Sequence, residues 1–136
     1  MEITIKEYRF DREEALRLYE SVGWTAYTAE PEKLQSAFEN SLSVLGAFDG
    51  EKLLGIIRAV GDGASIVFIQ DILVFPEYQR NGVGRALMNA LLEKYRRVRQ
   101  IELATDDVPE TLEFYKALGF REMSELGCVG FMKMST

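Results

Sequence analysis

The apolar run ASIVFIQDILVF at residues 64–75 constrains the fold more than any other feature of the chain. It is rich in β-branched residues and lies between turn-forming segments, so a strand is favoured over a helix. Apolar side chains at successive positions indicate that both faces of this strand are buried, as at the centre of a sheet. Pro76 ends the strand, because proline cannot donate to a β-ladder.

Hydrophobic periodicity places further strands and helices around this central strand. Some strands are joined by tight turns, such as the turn at Asp49 and Gly50, and others by helices, so the sheet is predicted to be mixed. We predict a single α/β domain over residues 1–136, with about seven strands and helices on both faces of the sheet. Strands are predicted at residues 2–8, 43–48, 52–60, 64–75, 101–104, 120–126 and 128–134, helices at 11–22, 31–42, 84–97 and 109–118, and an irregular segment at 24–30.

The residue types that the chain lacks exclude several kinds of chemistry. There is no histidine and a single cysteine, Cys128, which excludes His-based triads, His-ligated metal sites and internal disulfides. We therefore expect no bound metal and a reducing, cytoplasmic setting. A net charge of −6 argues against general nucleic-acid binding. No apolar run approaches the roughly 20 residues of a membrane helix and the start lacks a signal-peptide core, so no membrane association is expected.

The segment that follows the central strand carries the clearest chemical signal. Residues 79–84, Gln-Arg-Asn-Gly-Val-Gly, lead from a turn into a predicted helix. Gly82 and Gly84 let the backbone approach a ligand without obstruction by a Cβ atom. The first amides of a helix lack intrahelical acceptors and its dipole favours an anion, while Arg80 and Arg85 add positive charge. We therefore predict a pyrophosphate cradle, the alternative being a tight turn whose glycines serve packing alone.

Two other phosphate-binding motifs do not fit this segment. A nucleotide P-loop requires Gly-Lys-Ser/Thr, whereas Arg85 and Ala86 follow the second glycine here. A dinucleotide-binding fold requires a third glycine, and Leu87 occupies that position.

The pattern Gln-x-x-Gly-x-Gly at residues 79–84, preceded by LVFPEY at 73–78, resembles motif A of the GNAT N-acetyltransferase superfamily. The segment FYKALGF at 114–120 is similar to the FY-x-x-x-GF signature of the same superfamily, and the order of the two motifs matches. The resemblance implies the GNAT acyl-CoA N-acyltransferase fold. It also implies transfer of an acetyl group from acetyl-CoA to a primary amine by direct attack, without an acyl-enzyme.

The resemblance assigns the cofactor to two adjoining stretches of chain. The amides of the motif loop are expected to bind the pyrophosphate of acetyl-CoA. The end of the central strand is expected to offer its backbone to the pantetheine arm, beside a β-bulge, and to supply an N–H to the oxyanion. Val108 stands where many family members carry an asparagine that touches the cofactor. The cofactor-binding candidates are Ile72, Leu73, Val74, Gln79, Arg80, Asn81, Gly82, Val83, Gly84, Arg85 and Ala86.

Two residues are candidates for proton transfer. Tyr115 matches the tyrosine that protonates the leaving thiolate in this family, the alternative being a half-buried packing residue. Asp71 is the only charged residue between positions 64 and 75, and a carboxylate in a central strand is costly unless it is hydrogen-bonded. Asp71 is therefore a candidate general base, and the alternative of a structural aspartate satisfied by neighbouring amides is open. Glu30 and Glu102 are outside candidates for the same role.

The acceptor pocket is expected in residues 21–45. This region, together with the strand end that contains Asp71, is similar to a subgroup that includes plant plastid serotonin N-acetyltransferase and its bacterial relatives. Trp24 and Tyr27 are candidates for the wall of an amine pocket, through stacking or cation–π contact, or else they cover the edge of the core. A small amine, aromatic or not, is favoured over a protein acceptor.

Three alternatives to this function are open. The chain could be a non-catalytic acetyl-CoA-binding regulatory module, an enzyme that uses another acyl-CoA, or a protein N-acetyltransferase. The expected partners are acetyl-CoA and an amine, and family analogy alone suggests a homodimer through the C-terminal hairpin.

Overall fold

The computed structural model describes residues 1–135, which form two compact units, Met1–Ala104 and Thr105–Thr136. The single domain over the whole chain stays a prediction. The strands of the first unit are β1 (Thr4–Glu7), β2 (Ser43–Asp49), β3 (Lys52–Gly61), β4 (Ile66–Val74) and β5 (Gln100–Leu103). Its helices are α1 (Arg12–Ser21), α2 (Thr25–Thr28), α3 (Pro31–Glu39) and α4 (Val83–Lys94), with a 3₁₀ turn at Pro76–Tyr78.

The five strands form one sheet in the order β1-β2-β3-β4-β5. The pairs from β1 to β4 are antiparallel, whereas β4 and β5 run parallel, so the predicted mixed sheet is confirmed. Helix α4 provides the crossover between β4 and β5, as a parallel connection requires.

Helices α1 and α3 pack on one face of the sheet because their apolar residues recur at helical spacing. The Asp11 carboxylate accepts a hydrogen bond from the Glu14 amide at 3.1 Å and caps the start of α1, and Pro31 occupies the first turn of α3. Helix α4 packs against β2, β3 and β4 and buries its own apolar stripe. The core cluster on the α1 and α3 side contains Leu18, Tyr19, Leu34, Phe38, Leu53, Ile56 and Leu73.

Strand β4 contains one extra residue relative to β3. Ile69 pairs with Ala59, and Asp71 pairs with Arg58, so Gln70 has no counterpart in the β3 register. Residues paired across two strands point to the same face of the sheet, and the adjacent residues Arg58 and Ala59 of β3 point to opposite faces. Their partners Asp71 and Ile69 therefore also point to opposite faces, although they are two positions apart in β4. Asp71 therefore points to the side of α1 and α3, where Leu73 is also buried.

Several predictions about the elements are wrong, including the end of α3, which lies at Glu39 rather than at residue 42. The segment 24–30, expected to be irregular, contains the short helix α2, and α4 ends at Lys94 rather than at residue 97. The sheet has five strands among the described residues, where about seven were expected. None of the helices within residues 1–135 has the length and apolarity needed to cross a membrane.

The second unit contains the predicted helix α5 (Pro109–Ala117), but the hairpin expected after it is missing among its described residues. A 3₁₀ turn forms at Met123–Leu126 and ends at Gly127, which adopts a φ of 79°. The segment after Gly127 alternates like a strand, but a strand also needs a neighbouring strand to pair with, and none of the described residues pairs with residues 128–135 in a sheet.

Candidate active site

The C-terminal half of β4 has an open edge. Strand β5 pairs only with residues from Ile66 to Ile69, so within the described chain residues 70–74 have no strand partner on that side. The unpaired N–H and C=O groups of such an edge accept an extended chain as an added strand. The bulge at Gln70 lies where this open edge begins, as the family resemblance implied for a strand that admits a pantetheine arm.

The loop between β4 and α4 is held by two amide side chains. Gln79 donates from Nε2 to the Val74 carbonyl oxygen at 3.1 Å, and Asn81 donates from Nδ2 to the Gln79 carbonyl oxygen at 3.0 Å. Arg80 adopts a φ of 65°, in the left-handed region that a residue with a Cβ rarely occupies. The two amides fix the loop by bonding its own carbonyls, and a strained backbone at such a position is typical of binding loops.

Helix α4 begins without a side-chain cap. Gly82 occupies the N-cap with a φ of 81°, and Val83 is buried at the first helical position. The backbone N–H groups of the first turn have no intrahelical acceptors, and the helix dipole makes this end attractive to an anion. Arg80 and Arg85 are exposed on either side of Gly82. Donors, dipole and cations therefore fit a pyrophosphate group.

Asp71 lies in a buried hydrogen-bonding cluster. Its Oδ2 accepts from Nε of Arg58 at 2.7 Å and from the Tyr19 hydroxyl at 2.7 Å. Its Oδ1 accepts from the Tyr27 hydroxyl at 3.3 Å. Arg58 also donates from Nη1 to the Ser41 hydroxyl at 3.2 Å, and the side chain of Asp71 has no exposed surface. The cost of burying a carboxylate is thus offset by a cation and two hydroxyl donors, all of them side chains rather than amides.

The charges in this cluster support one another. Burial disfavours the charged form of Arg58, but the Asp71 carboxylate opposes that effect and the pKa of Arg58 is raised overall. Burial raises the pKa of the Tyr19 hydroxyl, and the adjacent Asp71 carboxylate raises it further. Arg58 therefore stays positively charged, and Tyr19 keeps its hydroxyl proton, at neutral pH.

An aromatic wall extends from this cluster toward the surface. The ring of Tyr27 lies 5.1 Å from the ring of Tyr19, and the ring of Trp24 stacks on Tyr27 at 5.9 Å with an angle of 26°. Tyr19 is fully buried, Tyr27 is half-buried, and Trp24 is 36% exposed. Helix α2 is only four residues long, and this stacking holds it against α1.

Tyr115 lies in the second unit, on α5. Its ring contacts Phe114 at 5.1 Å and Phe120 at 6.0 Å between centroids. Burial raises the pKa of Tyr115, and a hydrogen bond with Thr105 lowers it in part. The hydroxyl is therefore a weak acid that stays protonated at neutral pH.

The sequence was compared with protein families and solved structures. The model of the acetyltransferase (GNAT) family matches residues 10–120. This chain belongs to the GNAT family. A GNAT family acetyltransferase from Streptococcus pneumoniae TIGR4 is 39% identical, with a TM-score of 0.87 and 98% of each chain covered.

Curated GNAT relatives are matched over part of their length. The uncharacterized N-acetyltransferase ycf52 of Pyropia yezoensis is 30% identical over 111 residues, which are 76% of this chain and 61% of that protein. The GCN5-related N-acetyltransferase 2, chloroplastic, of Arabidopsis thaliana is 40% identical over 79 residues, 53% of this chain and 30% of that protein. This GNAT chain therefore matches less than two thirds of either relative.

Within this GNAT domain, the structure brings together some of the candidates and separates others. Asp71, Tyr27 and Trp24 form one connected cluster in the first unit. Glu30 lies outside the cluster, exposed and paired with Lys33, and Glu102 accepts a hydrogen bond from a neighbour on β5. The motif loop directly follows the open edge of β4.

Sequence reasoning missed two members of the GNAT chain's buried cluster. Arg58 is the only charged residue in the apolar strand segment that follows Lys52, so the reasoning that singled out Asp71 could have found it. Tyr19 recurs at helical spacing with the other apolar residues of α1, and its hydroxyl gives no signal in the sequence, because a tyrosine at such a position usually serves packing.

Proposed function

We propose that this chain transfers the acetyl group of acetyl-CoA to the primary amine of a small molecule. One observation carries the proposal: the open edge of β4 leads, through a 3₁₀ turn and the motif loop, to the uncapped start of α4. An extended arm that ends in a pyrophosphate, as in coenzyme A, matches this sequence of unpaired backbone groups and helix amides.

On the donor side, the backbone groups of residues 80–86 hold the pyrophosphate and the backbone at Ile72 and Val74 pairs with the pantetheine arm. A backbone N–H at Leu73 or Val74 stabilises the oxyanion that forms when the amine attacks the thioester. The side-chain amides of Gln79 and Asn81 shape the loop through their bonds to its carbonyls, and both residues stay candidates for cofactor binding.

On the acceptor side, Trp24 and Tyr27 form one wall of the amine pocket and Asp71 is the general base. An alkylamine is mostly protonated at neutral pH, so it must lose a proton before it attacks. Tyr115 protonates the leaving thiolate, and its raised pKa is compatible with an acid that stays protonated until that step. Attack is direct, as the family resemblance implies, and this mechanism suits a chain that has no histidine and a single cysteine, Cys128.

A second candidate is an acetyl-CoA-binding module without turnover. The observation that favours it is the buried ion pair of Asp71 with Arg58, which leaves Asp71 without exposed surface. A carboxylate held in this way serves stability alone unless a path connects it to the amine.

CoA release from acetyl-CoA distinguishes the two candidates. The amines to be tested are tryptamine, spermidine, kanamycin and free lysine, with acetyl-CoA binding measured in parallel by calorimetry. Release with at least one amine supports the enzyme, and release with tryptamine alone supports the aromatic pocket. Binding of acetyl-CoA without release from any amine supports the second candidate, or a protein acceptor if mass shifts appear on added proteins. Absence of acetyl-CoA binding contradicts both.

The donor and the assembly are tested separately. Propionyl-CoA and butyryl-CoA in the same assay show whether a longer acyl group is accepted. Light scattering at two protein concentrations tests the homodimer that family analogy suggests.

A further inference from the structure

The buried carboxylate of Asp71 connects to the surface through a single phenol in the described part of the first unit. Of the three side chains that donate to Asp71, Arg58 and Tyr19 are 5% and 0% exposed, whereas Tyr27 is half-buried. Both donors to Oδ2 are buried side chains, and each of their hydrogen bonds is 2.7 Å long. The donor to Oδ1 is the Tyr27 hydroxyl, at 3.3 Å. Of the three donors, Tyr27 is thus the one with substantial exposed surface, so a proton path from Asp71 to the surface would run through it.

A tyrosine hydroxyl can accept one proton while it donates another. The bond from Tyr27 to Oδ1 is the longest of the three, and catalytic hydrogen bonds are often long before the substrate binds. Helix α2 places the ring of Tyr27 between the buried ring of Tyr19 and the partly exposed ring of Trp24. The face of Trp24 attracts an ammonium group, which brings the amine to the hydroxyl of its stacked neighbour.

We propose that Tyr27 is a catalytic residue that carries the proton of the substrate ammonium to Asp71. The ammonium gives its proton to the phenol oxygen of Tyr27 while the Tyr27 hydroxyl proton passes to Oδ1 of Asp71. The products are a neutral amine, which attacks the thioester, and a neutral Asp71, which releases its proton through Tyr27 to solvent after acetyl transfer. The second proton, which the nitrogen loses as the amide forms, replaces the one that Tyr115 gives to the thiolate. This role of Tyr27 rests on the proposed function, because it requires Asp71 to be the base.

The other groups around Asp71 are suited to this proton path. Arg58 on β3 and Tyr19 on α1 both bond Oδ2, so Oδ1 is left for the mobile proton. Among the described residues, the other contacts of Arg58 are with uncharged side chains: its Nη1 donates to the Ser41 hydroxyl, and the Phe38 ring lies 5.7 Å from its guanidinium. Arg58 and Tyr19 are positioning residues in this scheme.

The test compares kcat as a function of pH for Tyr27→Phe, Tyr19→Phe, Asp71→Asn and the unaltered chain. The acceptor is whichever of tryptamine, spermidine, kanamycin and lysine releases CoA. Tyr27→Phe keeps the stacked ring and removes only the hydroxyl, so we expect an intact fold and a kcat lower by about 100-fold or more at pH 7. Without the proton path, only the fraction of the amine that is already deprotonated reacts. The kcat of Tyr27→Phe should therefore rise about tenfold per pH unit up to pH 9.

Tyr19→Phe is the matched control, because it removes a hydroxyl from the same carboxylate at a position that no substrate reaches. We expect the kcat of Tyr19→Phe to differ from that of the unaltered chain by the same factor at every pH, so that the two pH profiles have the same shape. A Tyr27→Phe profile of unaltered shape overturns the role of Tyr27, whatever the loss in rate. If Asp71→Asn also keeps that shape, Asp71 is not the base. If no amine releases CoA from the unaltered chain, the proposed function itself fails.

Discussion

Replacement of Arg58 by leucine tests the energetics of the buried cluster. The variant removes the 2.7 Å ion pair to Asp71 and the bond to Ser41, and leaves a carboxylate with no exposed surface and two hydroxyl donors. Breaking a buried pair by removing one partner costs about 3–5 kcal/mol. For a chain of this size we therefore expect the melting temperature to fall by about 10–17 °C.

The assay is urea unfolding followed by tryptophan fluorescence. Trp24 is the only tryptophan, and it stacks within the aromatic wall beside the cluster, so its emission reports on this region. The slope of the transition should be unchanged if Arg58→Leu alters stability and leaves the unfolded state as it was.

A double-mutant cycle separates the pair from its surroundings. Asp71→Asn leaves the guanidinium of Arg58 buried without a counter-charge and should cost a similar amount, since each single variant strands one charge. The double variant leaves neither charge buried without a partner. Its loss in the free energy of unfolding should therefore be about 1–3 kcal/mol smaller than the sum of the losses in the two single variants. Additive losses, with a coupling below about 0.5 kcal/mol, would refute the reasoning that the two charges depend on each other.

Three further predictions concern glycines and pH. Gly82 and Gly50 both adopt a positive φ with open space around an added Cβ, so replacement of either by alanine should lower the free energy of unfolding by about 1–2 kcal/mol. Only Gly82→Ala should also weaken acetyl-CoA binding measured by calorimetry. Gly55→Ala would drive its Cβ into the Leu73 carbonyl and should destabilise the chain by about 1–3 kcal/mol in urea, whereas an unchanged midpoint would show that β3 and β4 can separate without cost. Burial raises the pKa of Tyr115, so the rate of CoA release should not fall with rising pH until above about pH 10, and a decline centred below pH 9 would exclude Tyr115 as the acid.

Long periodic elements could be predicted from the sequence because their own residues determine them. The apolar run at residues 64–75 became β4, and the helical spacing of apolar residues within 11–22 predicted the bounds of α1 to within a residue. Helix α2 was missed because four residues show no period, and the stacking of Trp24 on Tyr27 is a tertiary contact. The C-terminal hairpin was predicted from alternation, which indicates a strand but cannot supply its partner.

The candidate site divides in the same way. The motif loop was predicted because its glycines and cations are contiguous in the sequence. Asp71 was singled out as a lone charge, but its partners Arg58 and Tyr19 lie 13 and 52 positions away. Alternation along β4 also assigns Asp71 to the face of Ile69, and only the extra residue at Gln70 reverses that assignment.

The extra residue in β4 also affects how the chain finds its alignment during folding. A strand of simple alternation can slide by two residues against its neighbour and still bury apolar side chains. In β4 the odd-numbered residues before Gln70 face one side of the sheet, and those after it face the other side. Any shift in register against β3 would therefore misplace the bulge and separate Asp71 from Arg58. A misaligned sheet would then hold two stranded charges in its core. The feature that opens the edge of β4 thus also selects one register among those that hydrophobicity alone would allow.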